Sequence, residues 1–140
     1  MRALCRTSHE RTIFGDIPFS DAKFDRTFAA ILARPRQSVG LVAELDGRIV
    51  GAESASAGEY HIGEGEILTT VHLIAIEKSN LSPVRRARTF LRLIRGLRLW
   101  SDSRSAKRLL IHVTTGHDLA STDRLLKVAG MKLMGGGYVG

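Results

Sequence analysis

The sequence predicts a single α/β domain of the α+β type, in which helices flank a mixed sheet. Three observations indicate this. Apolar residues recur every three or four positions in residues 20–34, as in an amphipathic helix. Asp46-Gly47 joins two strand-like segments, and this dipeptide suits a hairpin turn because both residues accept positive φ. After residue 66, apolar strand-like segments alternate with helical ones, which is typical of parallel βαβ units. We therefore expect an antiparallel hairpin and then parallel central strands, in one domain over residues 1–140.

Local signals set the boundaries of the predicted elements. Ser20 is a typical helix N-cap, and Pro35 ends the helix that it starts. Glycines in and around residues 59–65 indicate a turn, and Gly130 stands where a left-handed residue closes a helix. Gly96 predicts close packing against its helix, since glycine costs about 1 kcal/mol relative to alanine there. In chain order the predicted elements are helix 3–13, helix 20–34, strands 38–45, 48–57 and 66–76, helix 84–100, a polar linker at 101–105, strand 108–114, a loop at 115–118, helix 119–129 and strand 131–139.

Composition and charge limit the class of protein. The chain has 44% hydrophobic and 25% charged residues, which excludes a disordered or collagen-like protein. Its net charge of +7 implies attraction to polyanions such as phosphate-bearing cofactors, nucleic acid or acidic protein surfaces. The single Cys5 cannot form an internal disulfide, and the N-terminus lacks the apolar core of a signal peptide. No apolar run reaches the length of a membrane span, so we expect a cytoplasmic protein without a membrane partner.

Residues 71–100 are the most informative part of the sequence. A β-branched apolar run leads through a Ser-Pro pair into a helix, whose N-terminus would offer backbone N–H groups and a favourable dipole to an anion. Arg85, Arg86 and Arg88 strengthen that preference. Six arginines between residues 85 and 98, with no acid among them, also suit a non-specific contact with nucleic acid. The alternative is a solvated basic helix on a structural scaffold.

Few residues qualify as catalytic. A general base would have to accept a proton from an attacking ammonium group. The candidates are His72 and Glu77, on or just after the third strand, and Glu44 and Glu53 on the hairpin. For each, a structural role is the alternative. The histidines and Cys5 form no zinc pattern, so no metal is expected. Phosphate-loop, nucleophile-elbow and dinucleotide-binding motifs are missing, which makes kinases, hydrolases and dehydrogenases poor hypotheses.

Several short segments, taken in their order, carry a resemblance to a known family. They are Ile17-Pro-Phe-Ser-Asp-Ala-Lys-Phe24, Leu41-Val-Ala-Glu-Leu-Asp-Gly-Arg-Ile-Val-Gly51, Ser82-Pro-Val-Arg-Arg-Ala87, and Thr114-Thr-Gly-His117 with Arg124-Leu-Leu-Lys-Val-Ala-Gly-Met131. Through them the chain resembles the GNAT superfamily of acyl-CoA-dependent N-acyltransferases, and in particular small GNAT-like proteins of phage and prophage genomes. The resemblance implies two central strands that splay apart around the pantetheine arm of acetyl-CoA. It also implies that the pyrophosphate rests on the loop opening the basic helix, with Ile76, Arg85, Arg86, Ala87 and Arg88 as the cofactor-binding residues.

The chain departs from the family pattern at three points. No glycine occurs between Gly65 and Gly96, although glycines in the family loop let a phosphate approach the backbone. Leu126 stands where the family has a tyrosine that protonates the departing thiolate. The first strand of the family is missing ahead of the first helix.

Two functional hypotheses follow. In the first, the protein is an acyl-CoA-dependent N-acyltransferase that acetylates an amine by direct attack. In the second, it keeps the GNAT fold without the reaction and serves as a structural or adaptor protein. Such a protein would be a phage virion component, or a homo-oligomer, whose basic face contacts DNA or phage structural proteins. The departures favour the second hypothesis, and the general frequency of enzymes in the family favours the first.

Overall fold

The computed structural model describes residues 1–34, 36–113 and 119–135. Their helices and strands, in chain order, are α1 (Arg2–His9), α2 (Asp21–Ala33), β1 (Ser38–Leu45), β2 (Arg48–Glu59), β3 (Ile67–Ile76), α3 (Pro83–Ser103), β4 (Arg108–Ile111) and α4 (Leu119–Val128). The strands form one sheet in the order β1-β2-β3-β4. β1 and β3 run antiparallel to β2, whereas β4 runs parallel to β3. The predicted α+β fold, with a mixed sheet that contains an antiparallel hairpin and parallel central strands, is confirmed.

The local signals in the sequence act where they were expected. The Ser20 hydroxyl accepts a hydrogen bond from the Lys23 amide at 3.3 Å, which caps α2. Asp46 and Gly47 have φ of 51° and 72°, as a two-residue hairpin turn between β1 and β2 requires. Gly130 has φ of 75° just after α4, so it ends that helix in the left-handed conformation.

Each face of the sheet is covered by its own pair of helices. On one face, Cys5 of α1 packs with Ala52 and Ala75, and Phe24 of α2 joins this cluster. On the other face, Ile94 and Leu97 of α3 pack against the strands, and Leu126 of α4 adds to the cluster. The sheet is therefore buried on both sides at its centre, where β2 and β3 carry small or β-branched residues.

Two helix ends differ from the prediction. α1 ends at His9 rather than at residue 13, since the Thr12 hydroxyl donates to the His9 carbonyl oxygen at 2.8 Å and turns follow. α3 continues through the predicted linker to Ser103. Ser101 is buried there because its hydroxyl is paired with that of Thr69 at 2.8 Å.

The prediction was also wrong for part of the C-terminal region. β4 stops at Ile111, so 112–113 are not strand. Residues 131–135 form no strand either, and Leu133 and Met134 are about 80% exposed, without a strand to pair with. The predicted loop at 115–118, Thr114 and the residues after 135 lie outside the described residues.

Candidate active site

An irregularity in β3 marks the centre of the candidate site. Leu73 lies opposite Ser54 and Val71 lies opposite Ala55, so His72 is an extra residue without a partner on β2. This is a β-bulge, a feature that is frequent next to active sites because it frees one residue from the ladder. The His72 ring is exposed, and its Nε2 lies 2.7 Å from the Ser56 hydroxyl oxygen.

The parallel pairing of β3 with β4 ends at the same place. The four pairs run from Leu68 opposite Arg108 to Val71 opposite Ile111. Residues 72–76 of β3 continue without a β4 partner among the described residues. Backbone groups along this length of β3 can therefore hydrogen-bond to an extended ligand that lies beside the strand, as a peptide does when it adds to a sheet edge.

In the loop after β3, the carboxylate of Glu77 already accepts a hydrogen bond from a backbone amide. The Ser79 amide donates a hydrogen bond to Glu77 Oε1 at 2.7 Å. Hydrogen bonds from the Ser79 backbone first, and also from the Asn80 backbone, lower the pKa of the Glu77 carboxyl below its usual value. The Glu77 amide itself donates to the Val50 carbonyl oxygen at 2.9 Å, which ties the loop to β2.

The first turn of α3 offers few free amides. Pro83 has no N–H group, and the Ser82 hydroxyl accepts a long hydrogen bond of 3.4 Å from the Arg85 amide. The Arg86 amide donates to the Ser82 carbonyl oxygen at 3.0 Å. Among residues 83–86, the Val84 amide is the one without an acceptor in the described part of the chain, so this turn presents a single backbone donor.

The five predicted cofactor-binding residues lie together around this loop. Ile76 is the last residue of β3 and is half-buried opposite Gly51. Arg86 folds back so that its guanidinium donates to the Lys78 carbonyl oxygen at 3.4 Å. Ala87 is half-buried, whereas Arg85 and Arg88 are exposed. The positive charge expected here is present on side chains, while most of the expected backbone donors are already engaged.

The two predicted catalytic residues are not close to each other along the strand. His72 lies at the bulge and Glu77 follows the end of β3, which at about 3.3 Å per residue places them roughly 16 Å apart along the chain. They therefore cannot serve the same proton transfer. The exposed ring of His72 is the more available base, because the bonds to Glu77 weaken its carboxylate as a base.

Comparison of the fold with solved structures identifies its type. Glucosamine-6-phosphate N-acetyltransferase from Arabidopsis thaliana superimposes with a TM-score of 0.68 at 14% identity, over 89% of this chain and 80% of that one. The aminoglycoside 6'-N-acetyltransferase from Acinetobacter haemolyticus gives a TM-score of 0.67 at 15% identity, over 99% and 89%. A third, AAC(6')-Iy in complex with a CoA bisubstrate analogue, gives 0.70 at 14% identity, over 96% and 86%. This chain has the GNAT acetyltransferase fold. Neither a family model nor a curated protein matches it by sequence, so the likeness is one of structure.

Leu126 has an apolar role in this GNAT fold. It packs against the cluster formed by α3 and the sheet. Leucine has no proton to donate, and the contacts of Leu126 stabilise the core. Tyr60 is 40% exposed in the turn after β2, and Tyr138 lies outside the described residues.

Glu53 of β2 is an ionisable residue whose burial the sequence analysis missed. The residue is 1% exposed, and neither carboxyl oxygen has a hydrogen-bond partner among the described residues. It lies across from Leu41 on β1 and from Ile74 on β3. Burial raises the pKa of this carboxyl to about 8, so Glu53 is mostly protonated at neutral pH. In the sequence, the burial of Glu53 is indicated only by its position within a run of small and apolar residues.

Within 1–34, 36–113 and 119–135, no group of three or more histidine, cysteine, aspartate or glutamate side chains could hold a metal ion. No helix in these ranges combines the length and the apolar character needed to cross a membrane.

Proposed function

We propose that this protein is an acyl-CoA-dependent N-acyltransferase that binds acetyl-CoA beside β3 and transfers the acetyl group to an amine. One observation carries the proposal. The bulge at His72 coincides with the end of the β3–β4 pairing, so the side of residues 72–76 that faces away from β2 has no strand partner among the described residues. The solved neighbours include an aminoglycoside N-acetyltransferase in complex with CoA, which supports this choice of cofactor.

The residues of the candidate site fit the pantetheine arm of acetyl-CoA better than they fit its pyrophosphate. The pantetheine arm carries amide groups, and the side of β3 that has no strand partner within the described ranges offers the backbone donors and acceptors that such amides need. The pyrophosphate would have to rely on Arg85, Arg86 and Arg88, because Glu77 and Ser82 already accept hydrogen bonds from amides of this loop and helix start. In this proposal the arginine side chains take the place of the glycine-rich backbone that the family uses.

His72 is the residue that we assign to proton transfer. When bound, acetyl-CoA would supply the activated acetyl group, and the amine must lose a proton as it attacks. The exposed His72 ring, held by its contact with Ser56, lies on the strand beside which the cofactor would bind. Glu77 is the second candidate for this role.

A thermal melt with acetyl-CoA tests the proposal. A ligand at 100 times its dissociation constant stabilises a protein by about 2.7 kcal/mol, which raises Tm by several degrees for a chain of this size. We expect this rise for the wild type and a smaller one for R85Q/R86Q. The control R34Q/R36Q removes the same charge from exposed positions elsewhere and should keep the full rise.

The same thermal melt on the variant Glu77→Gln provides a second test of the proposal. If the Glu77 carboxylate competes with the pyrophosphate for the Ser79 amide, this variant binds acetyl-CoA more tightly than the wild type. Unchanged Tm at millimolar acetyl-CoA, for both the wild type and E77Q, would overturn the proposal.

The second candidate function is a GNAT-fold scaffold or adaptor without the reaction. Three features favour this candidate. The Ser79 amide is occupied by Glu77 and Pro83 has no N–H group, so fewer backbone donors remain for a pyrophosphate. Leu126 packs in the core and has no proton to give to a departing thiolate. A role in a phage virion and a homo-oligomeric state are finer versions of this hypothesis. Both stay predictions, as does the location in the cytoplasm, and none of the solved neighbours named above supports a phage role.

A further inference from the structure

One side of α3 carries four arginines in a row. At about 100° per residue, Arg85, Arg88, Arg92 and Arg95 fall within an arc of about 80° on the helix. All four are exposed, and we call them the arginine stripe. The buried residues of α3 lie on the opposite side, against the sheet; they are Thr89, Leu93, Ile94, Leu97 and Ser101.

No acidic side chain of the described residues neutralises the arginine stripe. The first turn of α3 has no acid, and the helix contains only Asp102, close to its C-terminal end. The ion pairs within 1–34, 36–113 and 119–135 belong to Arg2, Arg6, Lys107 and Lys127. Four positive charges therefore face solvent together, and this arrangement favours a polyanion as the partner.

We propose that the arginine stripe binds the phosphate backbone of duplex nucleic acid without reading its sequence. The stripe extends about 15 Å along the helix at 1.5 Å per residue. One strand of a duplex carries a charge about every 3.4 Å, so this length faces four to five phosphates. Each arginine can thus meet its own phosphate, because guanidinium groups pair well with phosphate oxygens.

Other anionic partners match the stripe less well. Binding of single strands relies on aromatic residues on which bases stack, and the stripe has none. A membrane surface requires apolar side chains that insert, yet the exposed apolar residues of α3, Val84 and Leu99, lie at or beyond the two ends of the stripe. An acidic protein would need a buried apolar anchor for affinity, which the stripe does not offer either.

Salt dependence of binding to a duplex of random sequence is the decisive measurement. With about four phosphates neutralised, log K should fall against log salt with a slope of about −3.6, from about −0.9 per contact. We expect the same slope for two duplexes of unrelated sequence. No binding at low salt, or tighter binding to polyglutamate or to anionic vesicles than to the duplex, would overturn the proposal.

Charge-matched variants separate the stripe from the overall charge. R85Q/R88Q/R92Q/R95Q should lose nearly all binding, while replacement of the same four residues by lysine should retain most of it. The control R11Q/R26Q/R34Q/R36Q removes four charges from exposed residues without ion pairs in the described ranges, and it should keep the slope. Equal loss in the control and in the stripe variant would show that net charge alone binds the duplex, and would overturn the proposal.

A variant of the distal half keeps this inference independent of the proposed function. Arg92 and Arg95 lie outside the candidate cofactor site, so R92Q/R95Q leaves Arg85 and Arg88 in place. We expect the slope to fall by about half, to about −1.8, whether or not the protein binds acetyl-CoA. A slope unchanged from the wild type would overturn the assignment of Arg92 and Arg95 to the contact.

Discussion

Glu53 shows how a single residue makes stability depend on pH. Its carboxyl is buried and has no hydrogen-bond partner in the described part of the chain, and burial raises its pKa to about 8. In the unfolded chain the pKa is that of an ordinary glutamate, near 4.5. The folded state therefore holds a proton that the unfolded state has lost between these two values. Stability is greatest below about pH 4.5 with respect to this group and falls as the pH rises to about 8.

Glu53→Gln tests this at the residue scale. The variant cannot ionise, so it should lose less stability than the wild type between pH 5 and 8, where one proton is worth up to about 1.4 kcal/mol per pH unit. Urea unfolding at several pH values measures the difference. The control Glu44→Gln changes an exposed glutamate on β1 and should follow the wild-type curve. The same pH dependence in E53Q and the wild type would show that Glu53 is not the titrating group.

At the scale of the elements, two glycines set how closely α3 packs on the sheet. A Cβ at Gly51 of β2 would lie 2.9 Å from Thr89 Cγ2, 3.0 Å from Leu93 Cδ1 and 3.3 Å from Ala43 Cβ. A Cβ at Gly96 of α3 would meet only the Leu41 Cδ1 atom, at 2.9 Å. Thr89 is stiff at χ1 and the Ala43 methyl cannot move away, whereas the end of the Leu41 side chain can rotate.

The changes that Gly51→Ala and Gly96→Ala cause in the free energy of unfolding should therefore differ in sign or size. We expect Gly51→Ala to lower the free energy of unfolding by about 1–3 kcal/mol through overpacking. Gly96→Ala gains about 1 kcal/mol of helix propensity, which offsets the shift of Leu41, so stability should change by less than about 1 kcal/mol. Denaturant unfolding of the two variants measures both, and equal losses would contradict this account.

At the scale of the whole molecule, the sheet carries one core on each face. Cys5 is buried on the α1 and α2 face, and Trp100 packs with the cluster on the α3 face. The two cores share the residues of β2 and β3, so we expect them to unfold together as one domain. Tryptophan fluorescence and the labelling of Cys5 should then give the same urea midpoint. Two separate midpoints would contradict a single cooperative unit.

Local signals in the sequence were enough to predict the order of the elements, the hairpin turn, the caps and the basic helix. Each of these follows from residues close together in the chain: Asp46-Gly47 accepts positive φ, and Ser20 caps its own helix. The sequence also predicted that arginines would lie at the start of α3 and that an apolar residue, Leu126, would lie on α4. These parts of the fold and of the candidate site could be predicted because spacing along the chain is enough to define them.

The groups that the candidate site presents to a ligand depend on contacts between distant parts of the chain. The bulge at His72 depends on its register with β2, and the end of the β3–β4 pairing depends on a strand about 40 residues later. The occupied amides at Ser79 and the burial of Glu53 depend on where side chains point once the elements pack. Residues 131–135 have the composition of a strand but form none, because a strand requires a hydrogen-bonding partner and not only a suitable sequence.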